Sequence, residues 1–430
     1  LLNLWIWKAP KRLKAHPSPK KYKRQSKKHI ILALNNPNRV LLRAIILIAL
    51  LFMSISYPSL VAGEDEKVSP LYDRYLWVIR DVLKSKRSID DMVNFAIEKN
   101  INHLFVQVRG RGDSFYESQF TSRSQILSEG EFDPLAYLLD TANGKGINIH
   151  AWVNVYFLWS SKSLPKDEQH ILHMQQQWLD TTEEWPVDVG KQLEMVGVNN
   201  NSEGLFLSPN HPDVNEYLIT VFRELITNYD IDGLHLDYIR YQDAEYGRNP
   251  YAIARFVSES GNDPGPWFLE MERSTIASPR LIANMNRWNN FKRKAVTSLV
   301  KDTRALVDEV RPDCIISAAV KPNLYVARER YFQEWNVWLA AGYLDWVVPM
   351  NYSPKKREFA RNIDVINDNF PKKYREKIIM GIALYNQTPS EASNKIKLSR
   401  LRQFPRISVF SYKIMIKDHR YSAVFDEENH

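Results

Sequence analysis

The residues best placed for chemistry are a carboxylate and a set of amides, phenols, rings and cations that all fall at the ends of short apolar runs. Asp237 stands in IDGLHLDYIRY, where Leu234 and Leu236 alternate with His235 and Asp237, followed by Tyr238 and Arg240. Alternation of this kind buries one face of a strand and turns the other elsewhere. Comparable runs end in Arg109, with Asp113 and Glu117 in the loop beyond it, and in His150, Trp152 and Asn154. Three more supply Lys321 and Asn323, Asn351 and Tyr352, and Tyr385, Asn386 and Gln387. Amides and charges bind hydroxyl groups, and rings stack on the apolar faces of sugars, so the mixture suits a polyhydroxylated ligand.

Hydrolysis of a glycoside generally uses two carboxyl groups astride the bond, one of which protonates the leaving oxygen. Asp237 is the first candidate, because position and alternation both turn it inward. Glu117 is expected as the second, with Asp113 as its rival. Arg109 and Arg240 also offer Asp237 a purely structural ion pair. His150 and His235 are candidate sugar contacts; two histidines on adjacent strands fall short of a zinc-binding motif, so the alternative to sugar is hydrogen bonding within the barrel rather than a metal. Neither a metal nor an organic cofactor is expected. Lys321 is a conceivable Schiff-base amine, but nothing beside it argues for a depressed pKa. Trp159, Trp178 and Trp267 are further candidate stacking platforms, although a tryptophan is more often packing.

These residues need a frame that brings many strand ends together. Strands are expected in YLWVIRD, HLFVQVR, INIHAWVNVYF, IDGLHLDYIRY, CIISAAVKPN, LDWVVPMNY, KIIMGIALYNQ and RISVFSY. Helices lie between them: one capped by Ser88 with Asp91, one opened by Asp133-Pro134, an amphipathic run from Pro212 to Asn228, another from Phe291 to Val310, and one opened by Thr388-Pro389 with Glu391. Eight alternating units make a (β/α)8 TIM barrel, with active residues at the C-terminal ends of its strands. Asp232 and Asp345, at the opposite ends of their strands, are expected to be structural. Two segments, 158–208 and 243–287, are too long for plain connections and read as insertions. An open doubly wound sheet is disfavoured, because no Gly-rich phosphate loop follows the first strand.

The charge balance divides the chain. Residues 1–63 hold twelve Lys or Arg and no acid, which leaves 46 basic residues against 50 acidic ones in the remainder. The overall excess of +8 therefore belongs to the leader and gives no reason to expect a nucleic-acid partner. Arg39 and Arg43, the apolar stretch from Ala44 to Met53, and Ala62-Gly63 follow the pattern of a secretory signal. The expected layout is a leader or N-terminal anchor over 1–63, a linker over 64–75 and the barrel over 76–430. Export to the periplasm or cell envelope follows, with membrane contact only through an uncleaved leader. Cys314 is the lone cysteine, which excludes an internal disulfide.

WVIRD, VQVRGRGDSFYES, FDPLAYLLDTANGKGINIHAWVN, LSPNHPDVNEYL, DIDGLHLDYIRY, WVVPMNY and GIALYNQ occur in this order. Together they resemble the bacterial glycosyl-hydrolase-like family 10, over roughly Leu76 to Tyr412. The resemblance implies an exported TIM-barrel hydrolase that cleaves glycan strands, including peptidoglycan stripped of its peptides. It places the family's motif residues at Arg109, His150, Asn154, Asp237, Tyr238, Arg240 and Tyr352. A looser likeness to family 18 chitinases keeps Asp237 and Met350-Asn351-Tyr352, but puts Ile239 where their catalytic Glu belongs. If the substrate carries an acetamido group, this likeness would have Asp237 orient it, with the proton coming from Glu117 or another loop acid. Two readings result: an exported glycoside hydrolase acting on an amino-sugar glycan, and a carbohydrate-binding barrel without turnover. A polysaccharide lyase is a third.

Overall fold

The computed structural model describes residues 73–127, 132–182, 188–195 and 203–429; the expected leader and most of the linker lie outside them. Eight parallel strands are present: β1 Arg74–Val78, β2 His103–Arg109, β3 Asn148–Asn154, β4 Gly233–Asp237, β5 Ile315–Val320, β6 Trp346–Pro349, β7 Met380–Ala383 and β8 Ile407–Phe410. Each pairs with its neighbour in chain order, and β8 pairs with β1. Between β6 and β7 only the bridges Val347 to Ile378 and Met350 to Gly381 complete the ring. Every strand predicted from periodicity is found, and β1 opens two residues ahead of the expected boundary at Leu76.

Nearly all strand residues are buried, because both faces of the sheet are covered. Outward-facing Leu76, Leu104, Val106, Ile149, Leu234 and Leu236 join the large shell packed under the helices. Inward-facing Tyr75, Trp77, Phe105, Trp152, Ala319, Val348 and Ile379 fill the lumen, so the barrel is a packed core with its hollow at one end.

The principal helices are α1 Lys86–Glu98, α2 Pro134–Ala142, α3 Val214–Asn228, α4 Pro279–Val310, α5 Lys356–Asn369 and α6 Pro389–Leu401. Asp133 caps α2 through the Ala136 N–H at 3.0 Å, and Thr388 with Glu391 forms the expected capping box on α6. The cap of α1 is Ser85 instead of Ser88: its hydroxyl accepts the Ser88 N–H, while the Ser88 hydroxyl donates to Val82 O. Helix α4 is 32 residues long and starts at the Ser278 cap, so its first turns occupy the end of the expected second insertion. That insertion also carries helices Pro250–Ser260 and Gly265–Arg273 around a separate cluster of Phe256, Phe268, Trp288 and Phe291. The first insertion is anchored by an antiparallel pair, Phe157–Trp159 with Leu205–Phe206.

At the N-terminal ends of the strands, Asp232 accepts the Ile149 N–H at 2.7 Å and Asp345 accepts the Ile316 N–H at 2.9 Å. Both acids tie strands together, as their positions suggested.

Candidate functional site

The C-terminal end of the barrel opens into a cavity of about 340 Å³ lined by Trp77, Gln107, Trp152, Asn154, Asp237, Tyr238, Tyr352, Tyr385 and Phe410, among others. Asp237 ends β4 directly opposite Asn154 in the ladder. Its residue is 6% exposed, and one carboxyl oxygen accepts the Tyr238 N–H at 2.7 Å. Burial pushes the carboxyl up from the usual aspartate value to about 6, against the opposing pull of that N–H and of the Arg240 guanidinium. Tyr238 takes a left-handed backbone, φ 52°, to leave the strand. A non-glycine residue in that region signals a constraint imposed by its surroundings.

The cavity wall is held by hydrogen bonds. Asn154 accepts from the Trp152 indole at 3.0 Å and from Gln107 at 3.3 Å, and donates to Gly110 O at 2.8 Å. Its side chain therefore fixes one ring and one amide of the lining. Asn386 donates to Tyr352 O at 2.8 Å and so fixes the backbone of Tyr352. The Tyr352 hydroxyl is itself buried and has no hydrogen-bond partner among the described residues. Burial raises its pKa well above the phenol norm, so it stays a donor. A buried hydroxyl left open at the edge of a hollow is a ready contact for a ligand. Tyr385, 56% exposed, stands on the rim against Tyr352 and Phe410.

Several expected contacts lie elsewhere. Arg109 does not reach the cavity: the register slips between Gln107 and Arg109, so Arg109 pairs with Val153 and turns off the inner face. Its fully buried guanidinium donates to the carbonyl groups of Asn154 and Val155. His150 lies at the opposite end of the barrel, sharing a 3.0 Å hydrogen bond with His103. His235 is a middle-layer lumen residue, with ring centroids 4.3 Å from Phe105 and 4.8 Å from Trp77, and its Nδ1 is 2.8 Å from the Ser317 hydroxyl. Asn351 points outward and joins the α5 residues Phe359 and Asn362. Glu117 is on the outer surface, its side chain 70% exposed and paired with Arg123 at 2.7 Å. Its rival Asp113 is buried in its own loop and bonds the Arg111 N–H and the Ser124 hydroxyl. Trp159 donates to Ser163 O, Trp178 packs against His211 and against Tyr217 of α3, and Trp267 joins the second insertion's cluster.

Four residues near the cavity were not foreseen. Arg80 donates to Gln107 at 3.1 Å, and Arg80, Gln107 and Arg111 all line the hollow. Glu203, from the first insertion, accepts from Arg240 at 2.6 Å. Its charge acts on Asp237 and on Lys321, so it stands near both. The Arg240 guanidinium also lies 4.9 Å from the Tyr238 ring centroid. Position near the C-terminal ends of β1 and β2 is the signal that could have found Arg80 and Gln107; nothing in the local pattern singles out Glu203. Lys321 lies beside Asp237 electrostatically and 4.4 Å over the Tyr331 ring, with burial and Arg240 bringing its ammonium down to about 8. Among the described residues no group of three or more His, Cys, Asp or Glu side chains could hold a metal, and no helix is long and apolar enough to cross a membrane.

The fold and the site together define a (β/α)8 barrel with a buried carboxyl in an aromatic hollow at its C-terminal mouth. The chain belongs to the family described as glycosyl hydrolase-like 10, whose model matches residues 71–396. It is 23% identical over 318 residues to the glycosyl hydrolase DigH of Escherichia coli strain K12, covering 70% of this chain and 66% of that protein. It is 22% identical over 240 residues to the glycosyl hydrolase YngK of Bacillus subtilis strain 168, covering 54% and 39%. The chain thus spans a little under two thirds of the length of the first of these relatives. In fold it is similar to the glycoside hydrolase domain of PgaB (BpsB) from Bordetella bronchiseptica, with a TM-score of 0.63, 13% identity, and coverage of 83% and 98%.

Proposed function

We propose that this protein is an exported glycoside hydrolase that cleaves an amino-sugar glycan, with denuded peptidoglycan strands as the favoured substrate class. The observation that carries this reading is Asp237, a carboxyl that keeps its proton to about pH 6 inside a hollow walled by rings. Asp237 protonates the glycosidic oxygen, Trp152 and Tyr385 offer faces to sugar rings, and the Tyr352 hydroxyl donates to the substrate. Glu203, held by Arg240, is the second carboxyl and serves as the base for attacking water. Membership of a glycosyl hydrolase-like family and the names of the relatives support turnover. The signal-like leader supports export, which fractionation of cells producing the full chain would check.

A binding barrel without turnover is the second reading. It is favoured by Ile239, buried in the outer shell where the chitinase pattern carries a glutamate, and by the ion pair that occupies Glu203. Incubation of the protein with denuded strands and with chitooligosaccharides separates the two. New reducing ends are expected from hydrolysis; bound but intact glycan would favour the second reading, and unsaturated products would indicate a lyase.

A further inference from the structure

Beside the mouth lies a second hollow of about 570 Å³, lined by Lys321, Tyr331, Lys355, Arg357, Glu358 and Arg361, among others. Four cations face it against the single acid Glu358, which is hydrogen-bonded to Ser353 at 3.0 Å. Lys355, Arg357 and Arg361 are exposed and form no side-chain hydrogen bond or ion pair among the described residues. Arg357 and Arg361 are four residues apart on α5 and so share one face of it. The N-terminus of α5 enters the same hollow, and no side chain caps it. The positive end of its dipole adds to the field. Solvated surface cations are common, but here they converge on a concavity, and Lys321 connects that concavity to the mouth. The Lys321 ammonium and the Asp237 carboxylate act on each other electrostatically, whereas Lys321 lines the second hollow and Asp237 the first.

We propose that this hollow is a subsite for an anionic substituent, a carboxylate or a phosphate, carried on a sugar next to the one held at Asp237. The inference rests on the reading of the mouth as a glycan site. An array of Arg and Lys side chains recognises such groups through charge-assisted hydrogen bonds. Neutral polymers would fill the mouth and leave the second hollow unused.

The test is titration of full-length Asp237→Asn protein, chosen because its turnover is expected to be too slow to consume the ligand, with three ligands of equal length. These are a neutral chitooligosaccharide, an oligosaccharide bearing lactyl carboxylates from denuded strands, and a phosphorylated chitooligosaccharide. At least one charged ligand is expected to bind about tenfold more tightly than the neutral one, and which of them does so distinguishes carboxylate from phosphate. The advantage should shrink in high salt, disappear in an Arg357→Gln/Arg361→Gln variant and persist in the corresponding double Lys variant. Equal affinity for all three ligands, or a preference that the Gln pair leaves intact, would overturn the subsite. Failure of all three to bind would instead overturn the glycan reading of the mouth, and the subsite with it.

Discussion

Asp237 sits in surroundings that favour its neutral form, and this sets both its chemistry and its effect on stability. As a proton donor it works below about pH 6, so kcat/KM on a glycan is expected to fall as pH rises past that value. The stability effect has the same sign. Between the unfolded aspartate value and about 6, the unfolded chain gives up this proton while the folded protein keeps it. Stability therefore falls as pH rises through that window, and above it the folded state carries the whole penalty. A rise from 3.8 to about 6 corresponds to about 3 kcal/mol for this buried group. Asp237→Asn keeps an oxygen for the Tyr238 N–H, and should melt higher than the natural protein at pH 7.5 and at nearly the same temperature at pH 4. Thermal denaturation at the two values checks this; a variant that melts lower at pH 7.5 would contradict it. Tyr352→Phe keeps the ring and removes the unpartnered hydroxyl. Steady-state kinetics should show a loss of about tenfold in kcat/KM with an unchanged melting temperature. Asp237 was legible in the sequence because a strand's alternation and its polarity together fix direction. Glu203 was not, because its place near Asp237 is set by how a long insertion folds back over the barrel.

At the scale of elements, the eight strands and the caps of α2 and α6 were readable because each is specified by neighbouring residues. A regular β2 would hold Gln107 and Arg109 on one face, but the ladder is not regular there. One slipped residue in the pairing of β2 with β3 turned Arg109 from a presumed sugar contact into a clamp on β3 carbonyl groups. Depth along a strand was the other blind spot: His150, His235 and Asn154 alternate inward alike, yet only Asn154 is high enough to meet the cavity. The close approach of β3 to β4 explains the glycine in IDGLHLDYIRY. A Cβ at Gly233 would lie 2.2 Å from His150 Nδ1 and 2.9 Å from the backbone oxygen of Ile315. His150 is held by His103, so it cannot easily yield. Gly233→Ala should destabilise by roughly 1–3 kcal/mol, measured by denaturant unfolding. A neutral outcome would show that the His103–His150 pair is looser than its geometry suggests.

For the molecule as a whole, the barrel interior holds histidines where a pore would hold water. Burial lowers His103 to about 4 and His235 to about 3, and His150 is also held well below the usual range. The unfolded chain protonates these rings near pH 6.5 and the folded barrel does not. Their contribution is therefore complete above pH 6.5 and is lost progressively as pH falls toward the folded values. His235→Asn should lower the melting temperature at pH 7 through the space it leaves between Phe105 and Trp77. It should also make the decline from pH 6.5 to 4 shallower than in the natural protein. An equally steep decline would mean that His235 titrates freely, in conflict with its packed position. The charge of the whole chain was a poor guide to function, because its excess sits in residues 1–63, whereas the local excess beside the mouth lies in an otherwise acidic remainder.

The central claim is that the Asp237 carboxyl delivers the proton that breaks a sugar–sugar bond. The most direct measurement is the rate at which reducing ends appear from denuded peptidoglycan strands, with natural and Asp237→Asn proteins compared at equal folded concentration near pH 5.5. The account predicts steady release by the natural protein and a fall of roughly 10²–10⁴-fold in the variant, with glycan binding retained. Equal rates from the two proteins would contradict it.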